Sequence, residues 1–269
     1  MNRRLAAVVA ALLAVAAAAA CMAPAASPSP SGAATELVIY AAASLMAPLE
    51  SVKTAYEADH PGVQLTLAFD SSAALRTQID QAAPADLFLS ADVTNPQKLV
   101  DGGLTSGPVT TFAGNHLVVV VPKANPGSIE TPADLARPGV RIVAAGEKVP
   151  VTVYTTQLIE RLGAQAGYPA DFASAYESNI VSREDNVKVI VTKLELGEAD
   201  AGIVYVTDAL ASDKLTTVQV PPAAAVTATY GGVVVAASLQ EAEAATLLTW
   251  IAGPDGQAIL ADFGFVAPE

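Results

Sequence analysis

Leu37-Val38-Ile39-Tyr40-Ala41-Ala42-Ala43-Ser44-Leu45 decides how this chain folds. Its apolar, partly β-branched start suits a strand, and its small residues permit a sharp turn. Leu45, Leu49, Val52 and Tyr56 then recur at helical spacing. The segment is therefore a strand running through a turn into a helix, with Ser44 at the junction. A second unit follows. Val63-Gln64-Leu65-Thr66-Leu67 reads as a strand, and Phe69-Asp70-Ser71-Ser72-Ala73-Ala74-Leu75 turns into another helix at Ser72. A helix start carries about half a unit of positive charge and up to four unpaired N–H donors. Two of them aimed at one point make an anion pocket without a cationic side chain. Each serine is also a good N-cap, and capping alone would account for either one.

The alternation continues outward from these units. Strands are expected at 36–40, 63–69, 86–89, 117–121, 140–144, 201–205, 216–220 and 230–236. Helices are expected at 45–59, 73–82, 95–101, 131–136, 151–163, 170–177, 187–197, 207–211, 239–252 and 255–263. Gly197 is the stop signal of the helix that begins at Val187. Such alternation predicts an α/β fold with open, parallel sheets, whose ligands sit at the carboxyl ends of strands. The apolar run Leu117 to Val121 reads as a crossover into a second domain, and Pro221-Pro222 to Tyr230 as the return. One domain is expected at 36–117 plus 228–269 and the other at 118–227. Two crossings make a two-stranded hinge suited to closure around a ligand.

Further helix starts carry candidate donors. Pro150 fits a first helical turn and leaves the Val151 N–H free. Asn186 is a good N-cap and leaves the Val187 N–H at the helix mouth. Tyr205 ends the strand Ala201-Gly202-Ile203-Val204, with its phenol at the carboxyl end. The plain alternatives are helix starts facing water and a half-buried sheet aromatic.

Composition narrows the classes. The chain has 269 residues, 52% of them hydrophobic, enough for two domains with a large core. The net charge is −13; without the first 20 residues, which carry Arg3 and Arg4 and no acid, 12 basic groups face 27 acidic ones. Nucleic acid is excluded as a partner on these grounds, and an anion site must act locally. No GxSxG elbow or P-loop is present, and neither His60 nor His116 has a second ligand at metal spacing. No catalytic residue, resident metal or cofactor is therefore expected, and an enzyme is the weaker reading. Trp250, spaced with Leu247, Leu248 and Ile251, reads as core rather than as a sugar-stacking ring.

Residues 1–20 read as a signal peptide: Asn2-Arg3-Arg4 precedes an Ala-rich apolar run too short to favour a permanent span. Cys21 follows directly and is the only cysteine, so no internal disulfide can form. Its position is similar to a bacterial lipoprotein site, cleaved before Cys21 and lipidated there. Residues 21–35 would then be the lipidated Cys and a Pro/Ser/Ala-rich flexible tether. An exported protein is expected, held to the extracytoplasmic face of the membrane by its lipid alone.

Taken in order, Tyr40-Ala41-Ala42-Ala43-Ser44-Leu45, Phe69-x-Ser71-Ser72, Ala83-Pro84-Ala85-Asp86-Leu87-Phe88-Leu89-Ser90-Ala91-Asp92, Gly114-Asn115-x-Leu117-Val118-Val119-Val120, Val149-Pro150, Gly197-Glu198-Ala199-Asp200-Ala201-Gly202-Ile203-Val204-Tyr205 and Phe263-Gly264-Phe265 resemble one family. It is the molybdate-binding proteins of bacterial ABC importers, the ModA family. The resemblance implies a two-lobed periplasmic-binding-protein type II fold holding a tetrahedral oxyanion in its cleft. It implies ligands at Ser44 and Ser72 from the first lobe, the Val151 and Val187 N–H groups from the second, and the Tyr205 hydroxyl. The implied ligand is molybdate or tungstate, with sulfate or phosphate as the alternative. The implied partners are an ABC permease and its ATPase, with the receptor itself a monomer. Asp70 departs from the family pattern, and is expected to point away or to cap the helix that Ser72 begins. Thr152 stands where a glycine is common.

Overall fold

A computed structural model describes residues 34–268. The signal peptide, Cys21 and the tether lie outside the described residues. Nine strands form one curled, mixed sheet: β1 Thr35–Ala42, β2 Val63–Asp70, β3 Leu87–Ser90, β4 Thr110–Pro122, β5 Ile142–Ala145, β6 Ile180–Glu184, β7 Ala201–Tyr205, β8 Leu215–Val218 and β9 Thr227–Val234. Their order is β2-β1-β3-β9-β4-β7-β5-β6, with β8 beside β4. The helices are α1 Met46–Asp59, α2 Ser72–Asp80, α3 Thr94–Asp101, α4 Pro150–Gly163, α5 Phe172–Ser178, α6 Val187–Glu195, α7 Val206–Leu210, α8 Glu241–Ala252 and α9 Pro254–Asp262.

β4 belongs to both ends of the sheet. Its front half pairs antiparallel with β9 as far as His116, which faces Thr227. From Leu117, which faces Tyr205, it pairs with β7, and further on with β8. The partner changes between two adjacent residues, His116 and Leu117.

The sheet is not all parallel. β1 runs parallel to β2 and β3, and β5 to β6 and β7, but β9 is antiparallel to β3 and β4. Long strands joining the two ends must return, and a returning strand pairs antiparallel. Two elements differ from the sequence expectation. β6 carries no strand signal, because it is a sheet edge with alternate side chains largely exposed. The expected helix at 131–136 is a short 3₁₀ turn, Pro132–Ala136.

Local chemistry fixes the elements that matter most. Leu37, Ile39 and Ala41 are fully buried because β1 lies between two neighbours beneath helices. Gly197, at φ +74°, ends α6: its N–H bonds Leu194 O at 3.0 Å, and that of Glu198 bonds Lys193 O at 3.0 Å. This pair of bonds is a Schellman stop. Gly202 lets α6 lie directly on β7, since a Cβ there would meet Ile190 Cγ2 at 2.9 Å. The start of α6 is thereby set beside the end of β7.

Candidate functional site

Register brings the two serine turns together. Ala42 and Asp70 are partners at the paired ends of parallel β1 and β2. Ser44 and Ser72 each follow two residues later and leave the same edge of the sheet. At the other end, β5 leads into α4, β6 into α6, and β7 ends at Tyr205, all three strands running in one direction. Ser44, Ser72, Val151, Val187 and Tyr205 line one cavity, together with Ser71, Ala91 and Asn186 among others. Its volume is only about 10 Å³. Pockets for drug-sized molecules run to about 300–1,000 Å³, so this one suits at most a compact ion. A larger cavity of about 300 Å³ lies against α4 and α5, lined by Ala144, Ala145 and Ala173 among others, and none of the five residues lines it.

Neither serine serves as a side-chain cap. Ser44 lies inside the short 3₁₀ turn Ala43–Leu45, and its Oγ is 2.9 Å from the Tyr230 hydroxyl. The cap of α2 is Ser71, whose Oγ accepts the Ala74 N–H at 3.3 Å. Ser72 is thus free for another role, and its Oγ accepts the Ala91 N–H at 3.0 Å. Both hydroxyls are buried.

The second set consists of backbone donors. α4 begins with Pro150, so Val151 is its second residue, and the Val151 N–H has no partner among the described residues. Asn186 Oδ1 accepts the N–H groups of Lys188 at 3.1 Å and Val189 at 3.3 Å. The Val187 N–H is left without a partner among the described residues. Thr152 is turned aside, its hydroxyl donating to Gly146 O at 2.8 Å.

Tyr205 completes the lining. It is 1% exposed, and its hydroxyl is buried with no hydrogen-bond partner among the described residues. Burying a hydroxyl without a partner costs about 1–3 kcal/mol, so its presence points to an absent acceptor. Burial lifts the phenol well above its ordinary range, and Tyr230, Tyr154, Asp208 and Asp92 push it in the same direction. It stays protonated and can donate. Asp208, wholly buried near this cluster, has Lys188 Nζ at 2.8 Å from its Oδ1, so the local charge is compensated.

Asp70 does not cap α2. Its Oδ1 accepts the Ser71 N–H at 2.7 Å and lies 3.4 Å from Asn186 Nδ2, and the residue lines a neighbouring cleft instead of the cavity. Two further residues reach the site unannounced by the sequence: Tyr230, which touches Ser44, and Asn115 behind it. No local pattern marks either one; the only hint is that Asn115 falls within the Gly114-Asn115 motif. Trp250 packs edge-on to Tyr56 with ring centres 5.4 Å apart, away from the cavity lining. Among the described residues no group of three or more His, Cys, Asp or Glu could hold a metal.

Comparison with known proteins gives this geometry a context. A family described as bacterial extracellular solute-binding protein matches residues 37–266. The molybdate-binding protein ModA of Mycobacterium tuberculosis is 35% identical over 263 residues, covering 97% of this chain and 96% of that one. The putative ABC transporter substrate-binding lipoprotein YvgL of Bacillus subtilis is 33% identical over 216 residues, covering 80% and 79%. The solved periplasmic molybdate-binding protein of Azotobacter vinelandii superposes with a TM-score of 0.72 at 25% identity, over 87% of this chain and all of that one. Those relatives capture solutes, which decides against the enzyme reading. The sheet, the cavity and the likeness agree: this chain belongs to the bacterial extracellular solute-binding proteins.

Proposed function

We propose that this chain is the receptor of an ABC importer for molybdate, and also for tungstate. The observation that carries the reading is the Tyr205 hydroxyl, buried without an acceptor in a cavity that it shares with the unpartnered N–H groups of Val151 and Val187. A cavity rich in neutral donors holds a dianion by hydrogen bonds to its charge, which are about twice as strong as neutral ones. The relatives named for molybdate support this choice of ion. Ser44 and Ser72 belong to a first lobe, 36–117 plus 228–269. Val151, Val187 and Tyr205 belong to a second, 118–227. Closure about the two crossings brings the second set onto an ion held by the first.

Phosphate carries a proton at neutral pH and favours a carboxylate acceptor. Asp70 is one candidate, and its carboxylate is engaged by Ser71 and Asn186 outside the cavity lining. Sulfate shares the charge and shape of molybdate, so cavity size must separate them. The receptor acts as a single chain, anchored through lipidated Cys21, and in closed form docks on a permease driven by an ATPase.

A thermal melt with molybdate, tungstate, sulfate and phosphate tests the ligand. An ion at about 100 times its dissociation constant adds about 2.7 kcal/mol, a rise of about 5–11 °C for a chain of this size. Molybdate and tungstate should give that rise. A rise with phosphate or sulfate alone would overturn the ligand assignment.

A further inference from the structure

Behind Ser44 lies a hydrogen-bond chain whose further members, Tyr230, Asn115 and Thr207, are not part of the cavity lining. Ser44 Oγ is 2.9 Å from the Tyr230 hydroxyl. Asn115 Nδ2 donates to that phenol oxygen at 3.4 Å and to Thr207 Oγ1 at 2.9 Å. Tyr230 and Asn115 are both 0% exposed. Tyr230 is held from three sides by aromatic edges, with Phe112, Tyr205 and Phe265 ring centres at 6.1, 5.7 and 5.4 Å.

The protons can be followed one at a time. An amide nitrogen has two N–H groups and no lone pair to offer. With Nδ2 facing them, both Thr207 and Tyr230 accept from Asn115, whose buried Oδ1 has no partner among the described residues. A phenol has one proton, and Ser44 Oγ is the remaining acceptor beside it, so that proton goes to Ser44. The serine oxygen is then occupied by an incoming donor, and its own single proton is free for the cavity. We propose that Asn115 and Tyr230 are positioning residues that fix the direction of this chain, making Ser44 a hydrogen-bond donor toward the bound anion. This rests on the oxyanion reading above.

The opposite direction shows what is at stake. If the Asn115 carbonyl faced Tyr230, it would take the phenol's proton. Ser44 would then give its proton to Tyr230 and turn a lone pair toward the anion. Ser72 reaches the donor state by another route, since the Ala91 N–H occupies its oxygen. Each serine oxygen thus takes one donor from behind, which frees its own proton for the cavity. Tyr230 always has its proton to give: burial and the nearby Asp208 raise the phenol well above its usual range, with only partial opposition from its bonds to Ser44 and Asn115. The chain therefore favours fully deprotonated oxyanions over those that carry a proton.

Two variants of the full chain test the direction. Tyr230→Phe keeps the ring and removes the phenol. Asn115→Asp keeps the shape and replaces two donors by acceptors. Calorimetric affinity for molybdate should fall at least about tenfold in Tyr230→Phe and about a hundredfold in Asn115→Asp. The informative quantity is the ratio of phosphate to molybdate affinity. It should rise at least about tenfold in Asn115→Asp, because Ser44 now offers a lone pair to a protonated anion. General damage to the site would weaken both ions alike and leave the ratio unchanged. That constant ratio in a folded variant overturns the inference, as does molybdate affinity within threefold of the parent in both. Should Asn115→Asp fail to fold, Tyr230→Phe decides alone: an unchanged affinity overturns the inference, and a tenfold loss with a raised ratio supports it. A parent protein that binds none of the four ions overturns the oxyanion reading itself.

Discussion

Asp70 and Asn186 meet at 3.4 Å, Asn186 Nδ2 donating to Asp70 Oδ1 across 116 residues of chain. Asp70 ends β2 and Asn186 caps α6, so the bond links the two ends of the sheet beside the cavity. The same carboxylate oxygen accepts the Ser71 N–H at 2.7 Å, which holds it away from the lining. Comparing Asp70→Asn with Asp70→Ala tests these two contacts together, since both remove the charge and only the first keeps an acceptor. Asp70→Ala should bind molybdate about 0.5–1.5 kcal/mol more weakly than Asp70→Asn by calorimetry. Equal affinities would mean that neither contact does work in closure.

Tyr205→Phe should move stability and affinity in opposite directions. The hydroxyl has no partner among the described residues, so its removal relieves a desolvated group and leaves the ligand-free melting temperature unchanged or higher. Affinity for the anion should fall by about 1–3 kcal/mol, the worth of a hydrogen bond to a charged acceptor. A variant that loses stability but keeps its affinity would return Tyr205 to the core.

Val187→Pro deletes a single N–H. Proline is favoured at the first position of a helix, and Asn186 before it is already extended, at φ −156° and ψ 170°. The helix should form, and circular dichroism should be unchanged, while anion affinity drops by about 1.5–3 kcal/mol. Val187→Ala keeps the N–H, and should bind within about 0.5 kcal/mol of the parent despite some loss of packing. If the two variants bind alike, the main chain at this point is not a ligand.

Affinity should be flat between pH 7 and about 9.5. The donors are amides, serine hydroxyls and phenols, and burial raises both Tyr205 and Tyr230 well above the ordinary phenol value of about 10. A tenfold fall in calorimetric affinity over that interval would show a phenol ionising in the site. Stability follows a related sign. A phenol whose pKa is raised on folding contributes stability that is full below about pH 10, where unfolded tyrosines begin to ionise. That contribution is lost as the pH climbs toward the folded value. Tyr154, raised to about 12 chiefly by burial, adds to the same loss. Denaturant midpoints should accordingly decline only in the alkaline limb.

The residues around the cavity are readable because strand-to-helix turns and helix starts leave local marks: a serine after a strand, Pro150 before Val151, Asn186 before Val187. Each mark lies within a few positions of the group it announces. Tyr230 and Asn115 left none, since their roles exist only through contacts 186, 115 and 92 residues away. The front half of β4, Thr110 to His116, has no apolar run of its own and is a strand by virtue of β9 beside it. β6 is an edge with alternate faces in water, so its pattern resembles a loop. Asp70 was ambiguous for the same reason as Tyr230, because its partner Asn186 lies in a different part of the chain.

The cavity is small and is walled by two sets of elements that meet around it. An ion gripped from both sets would have to part with one whole set to leave. Its residence time is then governed by how often the protein gapes, and not by how strongly any one donor grips. Rivals in the surrounding fluid gain nothing by being abundant until that moment, and delivery becomes a matter of whatever prises the two sides apart.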